Sequence, residues 1–476
     1  MKNFFEKHEW FKICGIMFIL VAILTWIIPA GYVAGNTIGE YGVYSTGGYT
    51  IVEALYYSLG YLSLSIILLL ALAAFYGIAS KTEGYKNIVA RAVKALKGKE
   101  TIFIVVVSVL IAICASVFSC VQVTLLFIPL IITIILKLNM DKLVAFSATF
   151  GSIIVGTMSY TYNVEGMGEL LNAMSLKADE GIFIRIGIGV LALTLLNFFA
   201  VNHAKKVLGN KKAPENNDLF AIETVEEKTT KKDSKKIWPM VTILVALGVV
   251  TILGYIAWNN IFQLTFFDEM HKAVMEFKIG EDFFLFKNII GGNAQAFGLW
   301  NQFGMIAILL IAAVIVKFVY KVKFDDALSN ASEGVSKFGK IVALIIGANM
   351  IVLLMYMTPI LPVILNWFLT LSDKFNPVFA FLGTSVSSML YNEFGVYASN
   401  FGGYLAGIYP DSSVLMLSLV TAANGFVSFF APTSFFLIVG LKYLDIPYGT
   451  WMKYIWKFLV GVLICILAIF LLVTYI

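Results

Sequence analysis

The chain has 476 residues, of which 60% are hydrophobic and 13% charged, with a formal net charge of +5 and a mean hydropathy of +0.88. Soluble domains carry about 45–50% apolar and about 25% charged residues, so these values exclude a water-soluble fold and indicate a polytopic membrane protein. The positive excess lies in lysines between apolar runs, where it reports sidedness in a bilayer and is no nucleic-acid footprint.

Apolar segments are predicted at 11–32, 55–78, 102–117, 124–136, 143–162, 182–201, 238–258, 303–320, 341–358, 377–390, 412–441 and 455–476. Several hold about 18 or more nearly uncharged residues, enough to cross a ~30 Å hydrocarbon core as a helix. The first, Phe11 to Ile28, exceeds the ~7–15 residues of a signal-peptide core and reads as a retained span. Lys81, Lys86, Arg91, Lys94, Lys97 and Lys99 in one loop, and Lys137 and Lys142 in the next, assign both loops to the cytoplasm. Residues 203–236 form a lysine-rich stretch with the composition of a disordered linker, also cytoplasmic, between membrane units at 1–202 and 237–476. Stretches 33–52, 163–181 and 359–376 carry at most one lysine each and go outside. The expectation is a multi-pass protein of the cell membrane with its N-terminus and linker in the cytoplasm. Residues 261–290 read as an outer amphipathic or interfacial helix.

Segments 102–117 and 124–136 lie between two inside loops, whereas 377–390 and the glycine-rich run that follows lie between outside stretches. Each pair is predicted to be a re-entrant hairpin, because several arms hold fewer than ~17 residues, too few to span comfortably. The halves also share one order: span, amphipathic stretch, short arm, small polar cluster, then a broken span at "TFGSIIVGTMSYTYN" or "AANGFVSFFAPTS". The fold class is therefore an all-α polytopic membrane protein built as an inverted repeat, each half with a re-entrant hairpin and a broken transmembrane helix. Exchanging the conformations of two like halves opens a central site to either face, which is alternating access.

Backbone that breaks helix at membrane depth is tolerated only where protein or a watery cavity satisfies it. The hairpin tips place Ser116, Ser119, Gln122, Thr124, Ser385, Ser387, Ser388 and Asn392 there. Helix N-termini at such tips suit an anion, and freed carbonyls with hydroxyls suit a cation. The alternative for a single serine is a bond back into its own helix or close helix packing. An ionised carboxylate at the bilayer centre costs roughly 2.5–3.5 kcal/mol on insertion scales. Glu393 therefore either faces a cation, a proton or a basic substrate at depth, or is an outside-facing loop acid. Asn163, Asn424, Thr433 and Ser434 punctuate the broken spans; Asn163, Asn424 and Thr433 mark where a coupling sodium ion or proton is expected. Glu165 and Glu169 read as outer-boundary acids, and Asn349 as interhelical glue.

No catalytic set is visible, and an enzyme is not expected. The three histidines, His8, His203 and His271, fall in predicted loops, "DEMHKAVMEF" lacks the second histidine of a zinc-binding HExxH, and there is no P-loop. Cys14, Cys114, Cys120 and Cys465 lie in apolar runs as small hydrophobes. No cofactor is expected beyond a coupling ion.

"ILTWIIPAGYV", "FIPLIITI" and especially "APTSFFLIVGLKYLDIPYGTWMKYIWKFL" resemble the YfcC-like branch of the anaerobic dicarboxylate carrier (DcuC-like) family, within the ion transporter superfamily. The resemblance runs through nearly the whole chain. It implies a secondary transporter with inverted repeats and two re-entrant hairpins, a transport domain moving against a scaffold that dimerises, and dicarboxylates or amino acids, including arginine/ornithine exchange, as substrates. The family's PTS motif falls on Pro432, Thr433 and Ser434, and its preceding glycine turn on Asn424 and Gly425. Two departures occur: Gln122 and Val123 stand where a glutamate pair is usual, and the second tip reads "TSVSSMLYNE", with Glu393 added.

The leading expectation is an ion-coupled symporter or exchanger of a small charged metabolite, leaning to amino acids such as arginine or ornithine because Glu393 could pair with a cationic group. A four-carbon dicarboxylate is the alternative substrate. A channel is the alternative class, which would favour a ring of charge over scattered hydroxyls; a membrane enzyme or assembly scaffold is third.

Overall fold

Uninterrupted apolar sequence gives long helices, and the breaks fall where glycine, proline or small polar residues gather. The computed structural model describes residues 9–118, 121–162, 164–209, 220 and 231–475. Helix α1 (Glu9–Leu24) is shorter than the predicted first span. Pro29 and Gly31 follow, and the chain turns into the antiparallel ribbon β1 (Ala30–Ala34) and β2 (Thr37–Gly42), with Gly35 at φ +64° in the turn. Helix α2 (Gly48–Ala79) leads to the amphipathic α3 (Glu83–Leu96), whose first turn is capped by Thr82 accepting from the Tyr85 amide. A helical pair follows, α4 (Glu100–Val117) and α5 (Val121–Lys137). The next span is interrupted: α6 (Lys142–Phe146), a π turn at Ser147–Gly151, α7 (Ser152–Met158), a break, then α8 (Val164–Met174). Helix α9 (Ile182–Gly209) closes the half.

The second half opens with α10 (Lys231–Tyr255), so helices enter the lysine-rich stretch from both sides. The predicted outer helix is instead three short helices, α11 (Trp258–Phe262), α12 (Phe266–Met275) and α13 (Leu285–Ile290), with a ribbon of β3 (Lys278–Ile279) and β4 (Phe283–Phe284) between the last two. Left-handed backbone at Gln263 ends α11, and at Gly280 it makes the turn between β3 and β4. Then come α14 (Gln302–Val319), α15 (Phe324–Met357), the short α16 (Leu361–Leu369), the pair α17 (Pro377–Leu390) and α18 (Phe394–Ile408), the interrupted span α19 (Ser413–Val427) and α20 (Phe435–Tyr443), and α21 (Tyr448–Tyr475). Seven of the described helices are long and apolar enough to cross a membrane, and α18 and α19 meet at a 111° bend. The protein is a mostly helical polytopic membrane protein; among the described residues there are two short β-ribbons, the first packed by Gly31 against Val363 of α16.

Helices α2 to α9 and α15 to α21 follow one order: long helix, short helix, helical pair, interrupted span, long helix. The opening helices have 32 and 34 residues, and the closing helices 28 each. Their directions are opposed. Gly77 near the end of α2 lies against Asn330 near the start of α15, whereas Thr46, just before α2, reaches Thr358, just after α15, at 3.4 Å. Likewise Leu195 meets Gly461, the Phe199 and Phe458 rings lie 6.5 Å apart, and the His203 and Tyr454 rings 5.0 Å apart, so α9 and α21 run antiparallel.

The α2–α15 pair is the most extensive helix contact, and small residues make it close. A Cβ on Gly334 would stand 2.2 Å from the Ala73 carbonyl oxygen, and one on Gly77 would stand 2.4 Å from that of Asn330. Asn349 donates to Ser58 Oγ at 3.0 Å and Ser58 to the Ile346 carbonyl at 3.1 Å, the interhelical role expected for the amide. Such bonds average about 0.6 kcal/mol in a membrane, so steric fit dominates this contact. Gly334→Ala is expected to lower the melting temperature in detergent sharply, because backbone, which cannot rotate away, would have to give. Gly60→Ala, on the same α2 but with open space around its Cβ, is expected to leave stability unchanged or raise it by about 0.5–1 kcal/mol.

Candidate functional site

Both helical pairs are tied to the interrupted span of their own half by one recurring bond. In the first half, the Thr161 hydroxyl donates to the Ser116 carbonyl at 3.1 Å, and the Thr161 amide donates to the same oxygen at 2.9 Å. In the second, the Thr433 hydroxyl donates to the Met389 carbonyl at 2.8 Å. Ser116 and Met389 are each the next-to-last residue of their hairpin's first helix, where carbonyls lack intrahelical donors. Each threonine lies in a break, between α7 and α8 or between α19 and α20. A threonine in one interruption thus satisfies a carbonyl in the other.

Further bonds fix each tip. Ser116 donates to the Ser159 carbonyl at 2.5 Å. Asn424 donates to the Asn392 carbonyl at 3.1 Å, and Ser428 to the Asn392 side-chain oxygen at 3.1 Å. Ser387 and the Tyr397 hydroxyl, 2.8 Å apart, bridge α17 to α18. The halves meet where Tyr160 packs edge-on to Phe394 at 5.6 Å and where Gly425 lies on Met158. A Cβ on Gly425 would stand 2.3 Å from the Met158 Cα, so the interrupted spans cross backbone to backbone.

Within this framework some polar atoms have no partner. The Ser388 hydroxyl is 0% exposed and that of Ser434 1% exposed, and neither makes a hydrogen bond. The half-buried Ser385 hydroxyl and the Gln122 side-chain oxygen are also unpaired. Buried polar groups are nearly always paired, and leaving one unpaired costs about 1–3 kcal/mol, so a cluster of them is informative. Ser388 and Ser434 adjoin the two ends of the Met389–Thr433 bond. Ser434 is also the N-cap of α20, yet its side chain does not cap, so the first amides of α20 stay available beside it. The arrangement offers hydroxyl and amide donors at a helix N-terminus, the chemistry of a carboxylate or other anion site.

A family model described as the C4-dicarboxylate anaerobic carrier, DcuC, matches residues 8–475. The chain belongs to that family. It is therefore a membrane carrier, as the resemblance implied. No curated protein matches it. Among solved structures, the crystal structure of the YdaH transporter of Alcanivorax borkumensis is similar at 13% identity over 96% of each chain with a TM-score of 0.43, a likeness too loose to carry an argument.

Of the carrier's predicted site residues, Gln122, Ser385, Ser388, Asn392, Asn424, Thr433 and Ser434 lie at or beside the tips. Ser119 and Asn163 fall outside the described residues. Thr124 donates to the Val121 carbonyl at 2.7 Å, within its own helix, and Ser387 donates to the Gly383 carbonyl at 2.8 Å while also meeting the Tyr397 hydroxyl, so both hydroxyls are engaged. Asn424 and Thr433, expected near a coupling ion, direct their donors to tip carbonyls. The Glu393 carboxylate accepts the Tyr61 hydroxyl, which stands about 20 Å along α2 from its start. Sequence reasoning missed Thr161, Ser428 and Tyr61. For Thr161 a signal existed, since "SYTYN" occupies the place of "FAPTS" in the other half.

Thr433→Val keeps side-chain shape but strips the Met389 carbonyl of its donor, and is expected to cost about 1–3 kcal/mol of stability, read as a lower melting temperature in detergent. Thr161→Val leaves the Thr161 amide donating to the Ser116 carbonyl, and is expected to cost only about 0.5–1.5 kcal/mol. Thr124→Val, whose hydroxyl bonds only within its own helix, serves as the control with a smaller shift.

Proposed function

We propose that the protein is a secondary carrier exchanging or cotransporting a small carboxylate anion, with a C4-dicarboxylate as its substrate class. The observation that carries this reading is the unpaired, buried hydroxyl of Ser434 at the N-terminus of α20, with the equally unpaired hydroxyl of Ser388 on α17 next to the Met389 carbonyl that Thr433 binds. A carboxylate there would accept from both hydroxyls and from the free amides of the first helical turn. The family membership supports the same class. A cationic substrate would need a free carboxylate at the tips, and Glu393 already accepts the Tyr61 hydroxyl. The two helical pairs act as re-entrant hairpins entered from opposite faces of the cell membrane, and the opposed directions of the two halves support alternating access between those faces. A sodium ion or proton bound at carbonyls freed in the breaks would offset the substrate's charge.

Counterflow in proteoliposomes tests the reading. External labelled succinate should enter faster when unlabelled succinate is inside. Ser388→Ala and Ser434→Ala should each raise the half-saturating concentration by about tenfold, the loss of one hydrogen bond to a charged group. Acceleration by internal arginine or ornithine and not by succinate would reject the dicarboxylate class in favour of basic amino acids. Flux without counterflow would indicate a channel.

A further inference from the structure

Between residues 210 and 236 the sequence is dominated by lysine, glutamate, asparagine and threonine, and its longest apolar run is "LFAI" at 219–222. Phe220 of that run is only 3% exposed. Its ring lies 5.7 Å from Tyr76 on α2, 6.2 Å from Phe338 on α15 and 6.3 Å from Tyr443 on α20, with the Lys337 ammonium 5.8 Å from its centroid. The receiving pocket is itself braced. Tyr76 packs on Tyr85 of α3 at 5.9 Å and donates its hydroxyl to the Leu126 carbonyl of α5 at 2.6 Å, and Phe338 packs on Tyr443 at 6.0 Å. Lys337 is oriented by Glu333 at 2.8 Å, which also pairs with Lys81 at 3.2 Å.

The pocket joins three bodies. Helices α2 and α15 form the long antiparallel pair, α5 belongs to the first hairpin, and α20 carries the Ser434 anion site at its opposite end. A ring wedged among them ties the linker to the helix whose N-terminus holds the unpaired hydroxyl. Displacing α20 from the α2–α15 pair would have to expose this ring or drag it along, and exposing a buried aromatic ring is unfavourable.

We propose that Phe220 docks the inter-half linker into this aromatic pocket as a latch that slows the carrier's conformational exchange. The braking role rests on the carrier reading above; the docking itself does not. A photoreactive p-azidophenylalanine, which keeps the ring's reach, replaces Phe220, and a protease site is inserted after Lys228. After irradiation and cleavage, the halves should stay joined on a denaturing gel; halves that separate overturn docking. This readout needs no substrate, so a wild type inactive toward succinate would count against the dicarboxylate reading and leave docking to be judged by the gel. In proteoliposomes, Phe220→Ala should speed succinate exchange by about threefold or more with the half-saturating concentration unchanged, the scale of one aromatic contact. The photo-crosslinked carrier should exchange slowly. An unchanged or slower rate in Phe220→Ala overturns the latch.

Discussion

A helix interrupted inside a membrane must find partners for the groups it frees, and here that requirement is met by two threonines. Lipid offers no hydrogen bonds, so each break would be untenable alone. Thr161 and Thr433 lie in the interruptions of their spans and donate to carbonyls that end the first arms of the neighbouring hairpins. Break and tip stabilise each other, which is why they occur together in both halves. The same logic makes Ser388 and Ser434 informative, because the Thr433–Met389 bond beside them is made and their own hydroxyls are unpaired.

The remainder of the fold holds this arrangement in place. The antiparallel α2 and α15 approach through Gly77 and Gly334 until backbone meets backbone, a contact set by shape. Side-chain bonds along it, from Asn349 to Ser58 and from Thr46 to Thr358, fix register. On the outer face of this pair, Tyr61 reaches Glu393, so the second hairpin tip touches the long helices as well as its own interrupted span.

The plan of two like halves was legible because it is written in segment length and in the order of apolar and small polar runs, which follow directly from the bilayer's thickness. Asn349 was legible for a similar reason, since an amide in a spanning helix has few uses besides binding another helix. Thr161 was not legible alone, since a threonine beside the more polar Asn163 carries little signal of its own; its correspondence with Thr433 shows in the shared bond. Tyr61 gave no signal at all: a tyrosine among tyrosines in an apolar run is ordinary packing material. The first span ended early, at Leu24, because an apolar run does not distinguish helix from ribbon once proline and glycine appear. Phe220 was hidden by the charge around it, and composition averaged over a linker conceals a single anchoring ring.

Gly425 seats directly on Met158, with no side chain between the two backbones. Packed helices usually slide or roll on a layer of interdigitated side chains, and here that layer is missing. Neither interrupted helix can rotate about its own axis without pushing the other, so a turn imposed on one break is transmitted to the other half.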